Sequence, residues 1–114
     1  MNSCLFCGII KGDIKGDIVY QDGSVVALRD INPKAPVHIL IVPRKHIETL
    51  LDLEQEDKRL VGDIFFAAAQ LARDQGISEN GFRVVLNCGA GAGQSVYHIH
   101  FHLLGGRPFT WPPG

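Results

Sequence analysis

Three histidines occupy every second position of Tyr97-His98-Ile99-His100-Phe101-His102-Leu103-Leu104. Side chains of an extended segment alternate between faces, so His98, His100 and His102 point one way and Ile99, Phe101 and Leu103 the other. At ~3.3 Å per residue the imidazoles repeat roughly every 6–7 Å. Such a row supports three readings: a polar outer face, a metal site built on His-x-His, or a histidine nucleophile flanked by histidine proton donors. Neutral imidazole is abundant near neutral pH, which makes the third chemically accessible.

Directly before the row lies Asn87-Cys88-Gly89-Ala90-Gly91-Ala92-Gly93-Gln94-Ser95. Its glycines let backbone amides approach a ligand closely, and successive amides in such a turn can cradle an anion. Asn87, Gln94 and Ser95 add side-chain donors at the edges. A dinucleotide-binding fingerprint would need a helix after the glycines, whereas here a strand pattern follows. A second cluster opens the chain: Cys4-x-x-Cys7 reads as metal or redox chemistry in a reducing compartment, since three cysteines build no disulfide framework. Cys88 has no evident role.

The elements that must position these groups follow from periodicity. Cys4 to Ile10 is an apolar opening able to form a short helical turn. Ile18-Val19-Tyr20 and Val25-Val26-Ala27-Leu28 flank Asp22-Gly23, a hairpin signal. Val37 to Val42 is a third strand stopped by Pro43. Asp52 to Asp74 carries the long helical pattern, with Leu60, Val61, Ile64, Phe65, Ala68, Leu71 and Ala72 on one stripe and Gly76 as the stop. Phe82 to Leu86 is a fourth strand, and roughly Val96 to Leu104 a fifth. Hairpin-like succession with one long helix predicts an α+β fold, an antiparallel sheet with the helix on one face.

Bulk properties narrow the function. At 114 residues the chain matches one ordinary domain, residues 1–114. A formal net charge of −1 gives no general attraction to nucleic acid or to an anionic membrane surface. No apolar run approaches the ~20 residues of a membrane span, and Met1-Asn2-Ser3-Cys4 lacks the start of a secretion signal. A cytoplasmic protein that grips an anionic substrate with a few local donors is expected.

The segment Gln94-Ser95-Val96-Tyr97-His98-Ile99-His100-Phe101-His102-Leu103-Leu104 resembles the histidine-triad signature of the HIT superfamily. Asp30-Ile31-Asn32-Pro33, His38 to Pro43 and Gly105-Gly106-Arg107…Trp111-Pro112-Pro113-Gly114 are similar to the histidine-triad nucleotide-binding branch, the purine nucleoside phosphoramidases. The Ser95-Val96-Tyr97 spacer and the tail set it apart from dinucleoside polyphosphate hydrolases.

The resemblance implies a HIT fold: five antiparallel strands, one long helix, a short N-terminal helix, and a homodimer joining two sheets into ten strands. It also implies hydrolysis of the P–N bond of adenosine 5′-phosphoramidates and related nucleoside monophosphate derivatives. The other reading is an AMP-binding interaction module with incidental hydrolysis. By resemblance, His100 is the nucleophile, His102 contacts the transferring phosphate, Ser95 lies near the leaving amine, and His38 and His98 support the site. Asp30 corresponds to the ribose-binding carboxylate and Ile31 lies beside the base. Asn87, Gly93 and Gln94, with Ser95, His100 and His102, complete the nucleotide contacts. Cys4-x-x-Cys7 is half a tetrahedral zinc site, and His46 and His98 can supply the rest, as in several bacterial relatives. Four protein ligands would make that zinc structural, with no cofactor required for catalysis.

Overall fold

The computed structural model describes residues 4–114; Met1-Asn2-Ser3, on which the leader argument partly rests, fall outside. Helix α1 spans Leu5–Lys11 and is followed by strands β1 (Ile18–Gln21), β2 (Val25–Arg29) and β3 (Val37–Pro43). Helix α2 spans Lys58–Asp74, and strands β4 (Phe82–Val85) and β5 (Phe101–Gly105) complete the chain. The strands form one antiparallel sheet in the order β1-β2-β3-β5-β4.

Alternation along the strands builds two cores. Ala27, Ile39, Ile41, Phe101 and Leu103 face α2 and pack on its Ile64, Ala68, Leu71 and Ala72. Val26, Leu28, Leu40 and Val42 face the opposite way and pack on Phe6 and Ile9 of α1. Each helix therefore needs only one apolar stripe, as the patterning predicts. The short α1 is closed at both ends: Cys4 Sγ accepts the Cys7 amide, and Gly12, at φ 87°, turns its N–H back to the carbonyls of Gly8 and Ile9. That φ favours glycine.

Two elements differ from the sequence expectation. The long helix does not begin at Asp52. Two 3-10 turns, Leu50–Asp52 and Gln55–Asp57, precede Lys58, separated by an extended Leu53 at ψ 138°. Asp52 accepts the Thr49 amide and Asp57 the Glu54 amide, so polar side chains cap these turns and interrupt the helix that periodicity alone favours. The fifth strand also begins late, at Phe101 instead of Val96. Ladder pairing ends at Ile41↔Phe101 and Val85↔His102, and the Ile99 N–H bonds to the Ile47 carbonyl at 2.8 Å. His98 thus ends a bend and His100 lies just ahead of the strand, while Ile99 still enters the α2 core.

Candidate functional site

The histidine row keeps one side of the chain but divides into two groups. His98 is fully buried, whereas His100 and His102 are half-buried. Phe6 ties the groups together, with its ring centroid 5.9 Å from that of His98 and 5.0 Å from that of His100. The His100 and His102 rings lie 5.1 Å apart.

Hydrogen-bond chemistry fixes where the ring protons sit. A carbonyl can only accept, so His100 Nδ1–H donates to the His98 carbonyl oxygen at 2.8 Å. Its neutral ring then carries a lone pair on Nε2, which has no protein partner among the described residues. His38 has the reverse arrangement: its Nδ1 accepts the Lys34 amide at 3.0 Å, leaving the proton on Nε2. That Nε2–H faces His102 Nδ1 at 2.9 Å and the Asp30 carboxylate at 3.4 Å. His102 Nδ1 is therefore an acceptor, and neutral His102 must carry its proton on Nε2. An imidazole lone pair and an imidazole N–H stand on neighbouring rings.

Burial favours the neutral form of His102 and His38. Burial pushes His102 down to about 4, helped by the neighbouring His100 and His38 and opposed by Asp30. Burial likewise lowers His38, against the opposing pull of Asp30. Asp30 closes an Asx turn by accepting the Asn32 amide at 2.8 Å, which explains the strand break at Asp30-Ile31-Asn32-Pro33.

Asp30, His38, Asn87 and His102 line one cavity of about 520 Å³, bounded also by Lys34, Arg83 and the tail. Ile31, 91% exposed, projects outside that lining. The glycine loop is more ordered than its composition suggests, with Ala90–Ala92 forming a 3-10 turn between Gly89 and Gly93, both at positive φ. Gln94 turns inward, contrary to the expectation of a donor at the loop edge. Its Oε1 accepts the Gly89 amide, and its Nε2 donates to the carbonyls of Glu48 and Val96, so the side chain is spent on holding the loop. Ser95 opens onto a different groove, of about 430 Å³, shared with Cys4, His46, Glu48 and Tyr97. Ahead of the tail, Phe109 lies against the guanidinium groups of Arg83 and Arg107, and Trp111 beyond it is exposed.

A second constellation brings Cys4, Cys7, His46 and His98 together, with one ligand atom of each within 4.8 Å of the others. His98 Nε2–H donates to the Pro43 carbonyl at 2.7 Å, which frees its Nδ1 lone pair. That Nδ1 lies 3.4 Å from Cys4 Sγ, 3.5 Å from Cys7 Sγ and 3.1 Å from His46 Nδ1, with Cys7 Sγ 3.3 Å from His46 Nδ1. Tetrahedral bonds of ~2.3 Å to sulfur and ~2.0–2.1 Å to nitrogen place neighbouring donors roughly 3.3–3.8 Å apart. The cluster fits a metal ion. Its His46 segment is braced by Lys45, which donates to Asp57 at 2.7 Å, and by Arg44, which reaches the Asp22 carbonyl and Gln21.

Sequence reasoning missed Phe6 and the carbonyl acceptors of Pro43 and His98. An aromatic enclosed by Cys4 and Cys7 was the one available signal; the backbone acceptors leave none.

Together the sheet order, the two helices and the paired imidazoles define a histidine-triad architecture, and the family model described as HIT domain matches residues 11–109. The chain belongs to the HIT family. It is 49% identical over 104 residues to the purine nucleoside phosphoramidase of Escherichia coli, covering 91% of this chain and 87% of that one. An uncharacterized HIT-like protein of Synechocystis is 46% identical over 110 residues, 96% of each chain. The crystal structure of a HIT family hydrolase from Legionella pneumophila superposes with a TM-score of 0.96 at 51% identity, covering 98% of this chain and 100% of that one.

Proposed function

We propose that the chain hydrolyses the P–N bond of adenosine 5′-phosphoramidates and related nucleoside monophosphate derivatives through a nucleotidyl-histidine. The observation that carries this reading is the pair of opposed tautomers, the His100 Nε2 lone pair beside the His102 Nε2–H. His100 Nε2 attacks phosphorus, a P–Nε2 bond forms, and the P–N bond to the amine breaks. The departing amine takes a proton from solvent, which the water attacking in the second step returns, and Ser95, on the neighbouring groove, is assigned to the leaving-amine side by the family resemblance. Water then attacks phosphorus, releasing the nucleoside monophosphate and restoring His100. His102 donates to a phosphate oxygen throughout, and its low proton affinity keeps it a neutral donor.

Asn87 serves the phosphate from the cavity wall, Gly93, whose own amide is bonded to the Ala90 carbonyl, is assigned there by the family resemblance, and Gln94 acts by holding their loop. Asp30 takes the ribose hydroxyls, and the exposed Ile31 supplies an apolar surface for the base. The Escherichia coli relative's name supports this substrate class.

We assign zinc to Cys4, Cys7, His46 and His98. Bound there, it supplies a structural clamp between α1 and the approach to β5, with all four positions taken by protein. The chain is proposed to work as a homodimer joined at β4, an edge strand that exposes Phe82. The three cysteines form no disulfide, which suits a reducing, cytoplasmic setting. No helix among the described residues is long and apolar enough to cross a membrane.

His100→Ala tests the mechanism: phosphoramidate turnover is expected to vanish while AMP binding stays within a fewfold. Undiminished turnover in that variant would overturn it.

A further inference from the structure

The two constellations share one peptide unit. The carbonyl of the 98–99 peptide accepts His100 Nδ1–H at 2.8 Å, and the N–H of the same peptide donates to the Ile47 carbonyl at 2.8 Å. Both ends of this connection are adjacent to groups of the metal-type cluster, since His98 supplies the carbonyl and His46 immediately precedes Ile47. A peptide is planar, so fixing its N–H direction also fixes its carbonyl direction. An ion gripping both imidazoles would set the distance between the 46–47 and 98–99 backbones and, with it, the acceptor that orients the nucleophile. Phe6, between Cys4 and Cys7, packs on both His98 and His100. Gln94 adds a parallel stitch, since it donates to the Glu48 carbonyl on the same strand of chain as His46.

We propose that the Cys4–Cys7–His46–His98 cluster is a positioning device for His100, acting through the 98–99 peptide so that loss of its ion lowers kcat and leaves nucleotide affinity nearly unchanged. This rests on the metal assignment made above. The cluster is also reachable: Cys4 and His46 line the 430 Å³ groove that holds Ser95, so an ion can leave and return without the chain unfolding. Cluster occupancy is then an adjustable input to the reaction, while Asp30, His38 and Asn87 sit on a separate cavity that the ion does not touch.

The test uses the full chain loaded with zinc, stripped by chelation and then reloaded. Three quantities are read: the ¹⁵N signals of the His100 ring, the AMP dissociation constant, and kcat for adenosine 5′-phosphoramidate. Stripping is expected to shift protons from Nδ1 to Nε2 of His100 and to lower kcat about tenfold, the scale of one orienting hydrogen bond. AMP affinity should change less than about twofold, and zinc should restore all values. Unchanged His100 signals and kcat in folded, stripped protein would overturn the proposal, as would AMP affinity falling in step with kcat. Where chelation unfolds the chain, His46→Ala removes an exposed ligand and gives the same comparison. A chain that takes up no zinc refutes the metal assignment and the coupling together. If zinc binds one-to-one while His100 is indifferent, only the coupling fails. Absence of phosphoramidase activity in the loaded protein counts against the function, and the ring signals still decide the coupling.

Discussion

Among the described residues two groups of side chains have the composition of metal sites, and only one has the hydrogen placement of one. In the first group, Cys4, Cys7, His46 and His98 converge on a common point, and the outer nitrogen of His98 is tied to a carbonyl so that its inner lone pair faces the sulfurs. In the second, Asp30, His38 and His102 are as close, yet His38 accepts on Nδ1 and its Nε2–H donates to the lone pair of His102 Nδ1, so the lone pairs do not converge. A ligand set needs lone pairs pointing together; a relay needs donors and acceptors in alternation. The residue types do not separate these cases. The backbone partners do: the Pro43 carbonyl forces one orientation and the Lys34 amide the other.

The comparison breaks most sharply on metal retention. Cys7→Ala should reduce bound zinc from about one ion per chain to none, because three remaining donors leave the tetrahedral site open. His38→Ala should leave zinc content untouched. Elemental analysis of the two purified variants decides it, and zinc lost equally from both would mean that the second group is also a ligand set.

The next effect is on rate. His102→Ala removes the N–H that we propose donates to the phosphate, and kcat should fall roughly 10²–10³-fold, the usual effect of losing one preorganised donor. A drop below tenfold would place the phosphate elsewhere. His38→Asn acts one step further out. It no longer fixes the His102 tautomer, so kcat should fall only about tenfold, the scale of a single net hydrogen bond, with zinc content unchanged. Steady-state kinetics on adenosine 5′-phosphoramidate rank the two variants, and a larger loss at His38 than at His102 would invert the proposed order of contact.

Much of this was legible in the sequence because periodicity reports burial. Ile99, Phe101 and Leu103 mark the α2 side, the imidazoles mark the other, and both facts survive even where the ladder does not reach. What periodicity could not report was competition from side chains. Asp52 and Asp57 cap their own turns, so an apolar stripe beginning near Asp52 becomes helix only at Lys58. Gln94 reads as a surface donor and is instead 4% exposed, because three backbone partners reward its inward turn. The division of the histidines into a buried one and a half-buried pair depends on Pro43, Ile47 and Lys34 backbone groups far along the chain, which no local pattern announces.

The smallest expected effect is on stability against pH, and it follows from the burial of the His38–His102 relay. His102 is held at about 4 in the folded chain, while an unfolded histidine titrates near ~6.5. Between those values the unfolded chain binds the extra proton and the folded chain does not, so stability rises with pH across that window and is lost as pH falls through it. Burial lowers His38 too, which adds to the slope with the same sign. In His102→Gln the first contribution disappears. Denaturant unfolding of zinc-loaded protein at several pH values between about 4 and 6.5 should therefore show a shallower pH dependence for the variant than for the parent, with the two curves parallel above that window. A steeper dependence in the variant would mean that His102 is protonated in the folded chain, in which case its ring could no longer accept from His38 and the contrast between relay and ligand set would not hold.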